Sequence, residues 1–340
     1  MDTVAVEASC CVGIDVSKDR LDVHVRRSDG CVAGGDVFAV NRDTAGLDEL
    51  VARLKLLQLQ AVAVEASGGF EKLVVASLGA AGLPVLIVNP AQVRAFANAV
   101  GQRAKTDTLD AAVIAHFLEA VKPPVRPLPE ASGVALGELL ARRRQIILMR
   151  TAEQHRARQA LHKVAHKSIA RILKALDSEL ASLDTEIDEK VRGTPEFVAK
   201  EALLSSVPGV GPVIARTLIA EMPELGTLSR REVAALAGLA PFTRQSGKWR
   251  GKSFIGGGRR VARAVLYMGA MVAARHNPAL KAFYTRLVGA GKAKVAAYVA
   301  VARKLLTILN AILRDAKPWN GAVPPAQETI ETLTVAGAPA

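Results

Sequence analysis

The order of hydrophobic patterns predicts a chain that begins as an α/β layer, continues as a long helical coiled-coil segment and ends as a mainly α-helical domain. Three observations carry this prediction. Short apolar runs alternate with helical stretches as far as Val121; the stretch from about Gly133 to Val191 is almost free of helix breakers; and the remainder, to Pro318, is helical and punctuated by glycine.

The first predicted strands are Val12 to Asp15, Leu21 to Arg26 and Cys31 to Val40, with turn signals at Ser17-Lys18-Asp19 and Ser28-Asp29-Gly30. They form an opening β-meander. A helix from Thr44 to Leu57, a strand from Ala61 to Glu65, a helix from about Gly69 to Ala81 and a strand from Pro84 to Val88 follow, which implies a mixed sheet. The next predicted helix runs from Asp107 to about Val121, and the Pro-rich segment Lys122 to Pro129 cannot continue it. The expected divisions are therefore an α/β domain over 1–128, a helical segment over 129–193, a C-terminal domain over 194–318 and a disordered tail over 319–340.

Within the helical segment, Leu173, Leu176, Leu180, Leu183 and Ile187 keep the 3,4 spacing of a coiled-coil seam, which predicts self-association. Charge is polarised along the same stretch. Arg142 to Lys174 holds ten Lys or Arg against the single acid Glu153, whereas Asp177 to Glu189 is acidic. A solvated helix face accounts for some of this; a one-sign excess over so many turns favours nucleic-acid contact.

At 340 residues the chain exceeds what a single core supports, and its net charge of +13 favours a polyanionic partner. A membrane is not expected: Met1 to Ser9 carries Asp2 and Glu7 where a leader would be basic, and the apolar run Ala264 to Ala274 is too short to span. The protein is expected to be soluble and cytoplasmic. Cys10, Cys11 and Cys31 lack CxxC spacing, so buried thiols are expected in place of disulfides or zinc. His155, His162 and His166 ride the basic helix and match no metal-binding pattern.

Four acids stand out. Asp15 and Glu65 end predicted strands, where ligands of α/β sheets gather, and Asp107 and Asp110 share one helix face at i and i+3. Singly, each has an ordinary role as a turn residue, strand terminus or helix cap. Together they would repel by about 4 kcal/mol per pair at ~4 Å and an effective dielectric near 20, a cost that a divalent cation removes. Mg²⁺ suits such hard oxygen ligands, and two ions roughly 4 Å apart serve phosphodiester displacement.

Downstream, Val207-Pro208-Gly209-Val210-Gly211 has the form of a helix-hairpin-helix DNA-binding turn, in which glycines such as Gly209 and Gly211 let backbone approach phosphate. Thr243 to Arg263 contains Arg244, Lys248, Arg250, Lys252, Arg259, Arg260 and Arg263 and no acid, as a phosphate-wrapping loop requires. Ser246 and Ser253 both lie in it, and composition does not choose between them as a nucleophile.

These motifs together resemble the IS110 family of insertion-sequence transposases, also called DEDD transposases or bridge-RNA-guided recombinases. The resemblance runs through GIDVSK (Gly13 to Lys18), EASG (Glu65 to Gly68), VNP (Val88 to Pro90), KTDTLDA (Lys105 to Ala111), PGVG (Pro208 to Gly211) and AGLAPFTRQSG (Ala237 to Gly247). It implies a RuvC-like, RNase H-type N-terminal domain whose tetrad Asp15, Glu65, Asp107 and Asp110 holds Mg²⁺, with two ions in the site. It implies a serine nucleophile matching Ser246, double-stranded target and donor DNA, a noncoding guide RNA, and a dimer or tetramer in which one subunit's acids meet another's serine. A bacterial cytoplasmic protein, on the nucleoid when acting, follows as well. The chain departs from the family's EATGxY at Ser67 and Phe70, which keep size and shape. The alternatives are a RuvC-like nuclease or Holliday-junction resolvase that attacks with water, a non-catalytic nucleic-acid-binding protein, and a phosphotransferase of the sugar-kinase and actin type.

Overall fold

Alternating strands and helices close into one sheet in the N-terminal part of the chain. The structure, a computed structural model, describes residues 9–27, 37–102, 107–125, 130–243, 245, 246, 249–251 and 253–321. It divides into two compact units, Met1–Leu128 and Pro129–Ala340. The expected strand residues 31–36, Cys31 itself and most of the tail lie outside the described residues.

In the first unit, Cys10–Val16 (β1), Arg20–Arg27 (β2) and Val37–Asn41 (β3) are antiparallel, while Leu59–Glu65 (β4) and Val85–Val88 (β5) run parallel to β1. The strand order is β3-β2-β1-β4-β5. Helices Thr44–Lys55 (α1) and Glu71–Ala80 (α2) cover one face, where Val12, Ile14, Val62 and Val64 meet Leu50, Leu54, Val74 and Leu78. Pro90–Ala99 (α3) and Asp107–Val121 (α4) cover the other, where Cys11, Ala61, Ala63 and Leu86 meet Val93, Ala97, Ile114 and Phe117. Burial of both faces explains why β1 and β4 read as continuous apolar runs.

The sequence reading carries no helix between Val88 and Asp107, yet α3 occupies most of that interval. Its signal is local: the Asn89 side chain accepts from the Ala91 N–H at 2.8 Å, and Pro90 fills the first helical position, where a missing N–H costs nothing.

In the second unit the long helix is in fact two, Ala131–Gln159 (α5) and Lys163–Arg192 (α6), folded back on each other. The backbone turns extended at Ala160 and His162, and His162 Nδ1 accepts from the Val164 N–H, starting α6 without any Gly or Pro. Ile187 and Val191 then pack in one core with Leu136 and Leu140 of α5. Arg143 pairs with Asp184 and Arg150 with Asp177, both at 2.5 Å, so steps of seven on each helix match in antiparallel register. The opposite charge blocks of the sequence are thus partly each other's partners.

Pro195–Ser205 (α7), Pro212–Glu221 (α8), Arg230–Leu236 (α9), Arg260–His276 (α10), Pro278–Gly289 (α11) and Lys294–Asp315 (α12) complete the unit. By length and composition alone α12 is apolar enough to cross a membrane, but half of that span is buried, with Val301, Leu305, Leu306 and Leu309 packing in the core of this unit. Between α9 and α10 lie four two-residue strands, Pro241–Phe242 (β6), Gln245–Ser246 (β7), Trp249–Arg250 (β8) and Phe254–Ile255 (β9). β6 pairs with β9 and β7 with β8, making a nested hairpin.

Candidate active site and nucleic-acid interface

Side chains alternate across a strand, so residues 13 and 15 of β1 point to the face that Cys11 shares with α3 and α4. Parallel pairing sets Gly13 beside Ala63 and Ile14 beside Val64, which brings Glu65 level with Asp15 on the same face at the carboxyl ends of both strands. The helix above is held by two contacts. A Cβ on Gly13 would fall within 3.0 Å of backbone atoms of Ala111, Ile114 and Ala115, so only glycine lets α4 lie this close. Nearer the start of β1, Arg26, which pairs with Cys11, forms an ion pair with Glu119 of α4. The helix therefore runs antiparallel to β1, with its first turn, carrying Asp107 and Asp110, toward the Asp15 end.

This placement sets Asp15 and Glu65 at the carboxyl ends of the neighbouring strands β1 and β4, with the start of α4, which carries Asp110, toward the same end; the Asp107 side chain is outside those described. Asp15, Glu65 and Asp110 offer only hard carboxylate oxygens, the donor type that a divalent cation takes. Among the described residues alone, no group of three or more acids, histidines or cysteines stands close enough to hold a metal.

Two features of the site were not singled out from sequence. Asp22, directly opposite Asp15 in the β1–β2 pairing, is 5% exposed and accepts from Arg20 at 2.7 Å. Its signal was the alternation of Arg20 to Arg27: Leu21, Val23 and Val25 face one side, leaving Asp22 and His24 on the side of Asp15. Burial, with Arg26 nearby, holds the His24 imidazole below its ordinary pKa. The second feature is Glu71, whose carboxylate accepts from the Ser67 N–H (3.0 Å), the Ser67 hydroxyl (3.1 Å) and the Gly69 N–H (2.7 Å). Burial pushes its carboxyl up, but these bonds outweigh it and leave the group more acidic than usual. They fix the loop that leaves Glu65, where Gly68 and Gly69 have positive φ and Arg42 lies over the Phe70 ring. Cys10 and Cys11 are buried free thiols as expected, and burial with Glu119 nearby raises the Cys11 pKa.

In the second unit Ser246 is exposed on β7, opposite Trp249; Ser253 is exposed as well. Arg244, Lys248 and Lys252 lie outside the described residues, as does the Arg250 side chain. Arg260 is exposed at the start of α10, whereas Arg259 forms a two-pronged ion pair with Glu224, at 2.7 Å through its second nitrogen. Gly257 and Gly258 take positive φ, and a Cβ on Gly258 would strike Gly238 and the Leu236 carbonyl, so the close approach made by Gly258 is to its own chain, while Gly257 faces open space. Gly209, with φ of 106°, fits against Ala273, and Gly211 caps α8 in open space. On the α5–α6 hairpin, Arg158, Lys163, Lys167, Arg171 and Lys174 are exposed and have no ion-pair partner among the described residues.

Known proteins share these segments. Residues 12–166 match the IS110 DEDD model, described as a transposase, and residues 201–285 match the model described as transposase, IS116/IS110/IS902 family. The pilin gene-inverting protein of Moraxella bovis is 31% identical over 244 residues, which cover 69% of this chain and 74% of that protein. The chain belongs to the IS110 family of transposases. The pilin gene-inverting protein of Moraxella lacunata matches this transposase to the same extent, 31% identity over 69% of the chain and 74% of its own. The insertion element IS900 uncharacterized 42 kDa protein of Mycobacterium paratuberculosis is 32% identical over 43% of the chain and 37% of its own length. A transposase acts on DNA, and DEDD transposases usually use divalent metal. All four acids fall in the first matched segment and Ser246 in the second.

Proposed function

We propose that this IS110-family transposase is a Mg²⁺-dependent recombinase of an insertion element, with a RuvC-like site in its first unit and a serine nucleophile in its second. The reading is supported above all by the placement of Asp15 and Glu65 at the carboxyl ends of adjacent parallel strands, with the start of the helix that Gly13 admits, and so Asp110, toward that end. Asp107, one turn earlier on α4, is the fourth member. Mg²⁺, as two ions in this site, would polarise the scissile phosphate and offset charge on the attacking and leaving oxygens. Ser246 Oγ attacks phosphorus, its proton passes to a carboxylate of the cluster, and the P–O bond to the departing strand breaks. A phosphoserine then holds the other strand end until a new hydroxyl displaces the serine.

Acids and serine belong to different units, so a dimer or tetramer in which one copy's acids meet another's Ser246 completes the arrangement. The α5–α6 pair, read as the coiled-coil segment over 129–193, assists that assembly. Its exposed bases suit the backbone of a noncoding guide RNA, which would select target and donor DNA by pairing. The α7–α8 turn at Gly209 and Gly211, read as a helix-hairpin-helix, together with Arg244, Lys248, Arg250, Lys252 and Arg260 would hold DNA phosphates; Arg259, paired with Glu224, orders the loop. The C-terminal domain of this reading spans 194–318, and the protein works in the cytoplasm on the nucleoid.

The test is a protein–DNA adduct that survives denaturation. Ser246→Ala should lose both adduct and strand exchange while retaining DNA and RNA binding. Cleavage without any adduct would replace the serine by water, and cleavage in no divalent metal would leave only a binding protein.

A further inference from the structure

Two loops leave the sheet at the end where Asp15 and Glu65 stand, residues 17–19 after β1 and residues 66–70 after β4. One arginine is joined to both. Because β3 is antiparallel to β2 and β2 to β1, β3 runs parallel to β1, and Arg42, the residue after β3, emerges at that same end. Its Nε–H donates to the Lys18 carbonyl at 2.6 Å, its backbone N–H donates to the Asp19 carbonyl at 3.0 Å, and its guanidinium carbon lies 4.9 Å from the centre of the Phe70 ring. Both loops are themselves fixed. Ser17 Oγ donates to the Arg20 carbonyl and accepts from the Arg20 N–H, while the Glu71 carboxylate accepts from Ser67 and Gly69.

A guanidinium carries five N–H donors, and only the one on Nε is engaged here. The four on the terminal nitrogens meet no acceptor among the described residues. Asp43, next in the chain, is occupied as the cap of α1, accepting from the Gly46 N–H at 2.8 Å, and Arg42 has no ion-pair partner among the described residues. An arginine that only ties loops together turns its terminal nitrogens to nearby carbonyls, as Arg263 does toward Ala237 and Gly238. Arg42 does not. The Phe70 ring is 43% exposed, and nothing stands within 4 Å of where a Cβ on Gly68 or Gly69 would be, so the adjoining loop leaves room for an approaching chain. A planar fork with free donors, fixed before its ligand arrives, matches a phosphate in two-pronged geometry and loses little freedom in binding it.

We propose that Arg42 is a phosphate clamp, whose terminal nitrogens grip one backbone phosphate of the DNA bound over the Asp15 and Glu65 end of the sheet. The exposed Lys18 adds positive charge to the same turn. By holding the backbone from loops that begin at both acid-bearing strands, the clamp sets where DNA lies relative to the acids. This rests on the reading of that end as the reacting one, but it is tested without metal or serine.

Full-length protein in EDTA is titrated with a labelled DNA duplex over a range of KCl concentrations. Arg42→Gln should bind about tenfold more weakly, as loss of a hydrogen-bonded charge contact requires. The slope of log affinity against log salt should become shallower by about 0.9, the value for one phosphate contact on duplex DNA. Arg42→Lys keeps the charge and loses the fork, so it should bind more weakly with the slope of the parent. Both variants lose the Nε–H bond to Lys18, so loosened loops affect them alike and charge alone separates them. Lys55→Gln removes a charge at the far end of α1 and should leave the slope as it was. An unchanged slope in Arg42→Gln overturns the clamp, as does an equal fall in Arg42→Lys or Lys55→Gln. So does an Arg42-dependent slope found with an RNA hairpin and absent with the DNA duplex. A full Arg42 effect in a protein that cleaves DNA in no divalent metal sinks the acid site and spares the clamp.

Discussion

Gly13→Ala is the sharpest probe of how the acids are brought together. The new Cβ would stand within 3.0 Å of three backbone atoms of α4, none of which rotates away as a side chain would. To restore ordinary contact near 3.4 Å the helix must retreat bodily, by about 1 Å once its own stiffness spreads the shift. Overpacking of this kind costs about 3 kcal/mol, the upper end of the usual range. At 1.4 kcal/mol per tenfold, amide protons of β1 and β4 should exchange about 100-fold faster in the full chain. A displacement of about 1 Å of the helix bearing Asp107 and Asp110 should also cost about 100-fold in cleavage per folded molecule. Gly46→Ala supplies the control: its Cβ would strike Asn41 on the opposite side of the sheet, 2.8 Å from the carbonyl carbon, and should destabilise without slowing the folded enzyme. If Gly13→Ala exchanged and cleaved like the parent, α4 would not lie on β1 and the acids would not converge.

Other expectations follow from single contacts. Asp22→Asn removes the charge opposite Asp15 while keeping shape, and should raise the Mg²⁺ needed for half-maximal cleavage by about tenfold, read from a metal titration. Glu71→Gln should cost about 1 to 3 kcal/mol at neutral pH in a urea titration. Because the folded group titrates below its ordinary 4.5, its contribution is complete above that value and fades as pH falls through the lower folded pKa, so the two proteins should converge in acid. A double-mutant cycle on Arg143 and Asp184, whose carboxylate is half-exposed on the hairpin, should give a coupling of only about 0.2 to 1 kcal/mol that salt weakens.

The sheet was legible because its strands are buried on both faces, which makes Val12 to Asp15 and Ala61 to Glu65 unmistakable apolar runs ending in acid. Register was not. Nothing in the sequence says that Gly13 pairs with Ala63, and that pairing is what levels Glu65 with Asp15. The break at Ala160 to His162 escaped notice because a histidine cap is not a breaker: it starts a helix only once the extended backbone before it has been chosen by packing of α6 against α5. Asp22 escaped for a related reason, since a carboxylate in an alternating strand looks solvated until a helix is known to cover that face.

Charge gains meaning when internal partners are removed from it. Arg143, Arg144, Arg150, Arg216 and Arg259 all face acids of their own unit, so these arginines help fold the chain before they help it bind anything. Among the described residues, Arg158, Lys163, Lys167, Arg171 and Lys174 gather toward the turn end of the α5–α6 hairpin, while Arg230, Arg231, Lys281, Lys292 and Lys294 are exposed along the rest of the unit. A net +13 spread evenly would attract any polyanion everywhere. Five exposed bases on one hairpin, where no acid of the described residues claims them, instead give one projection a local positive field suited to a phosphate backbone.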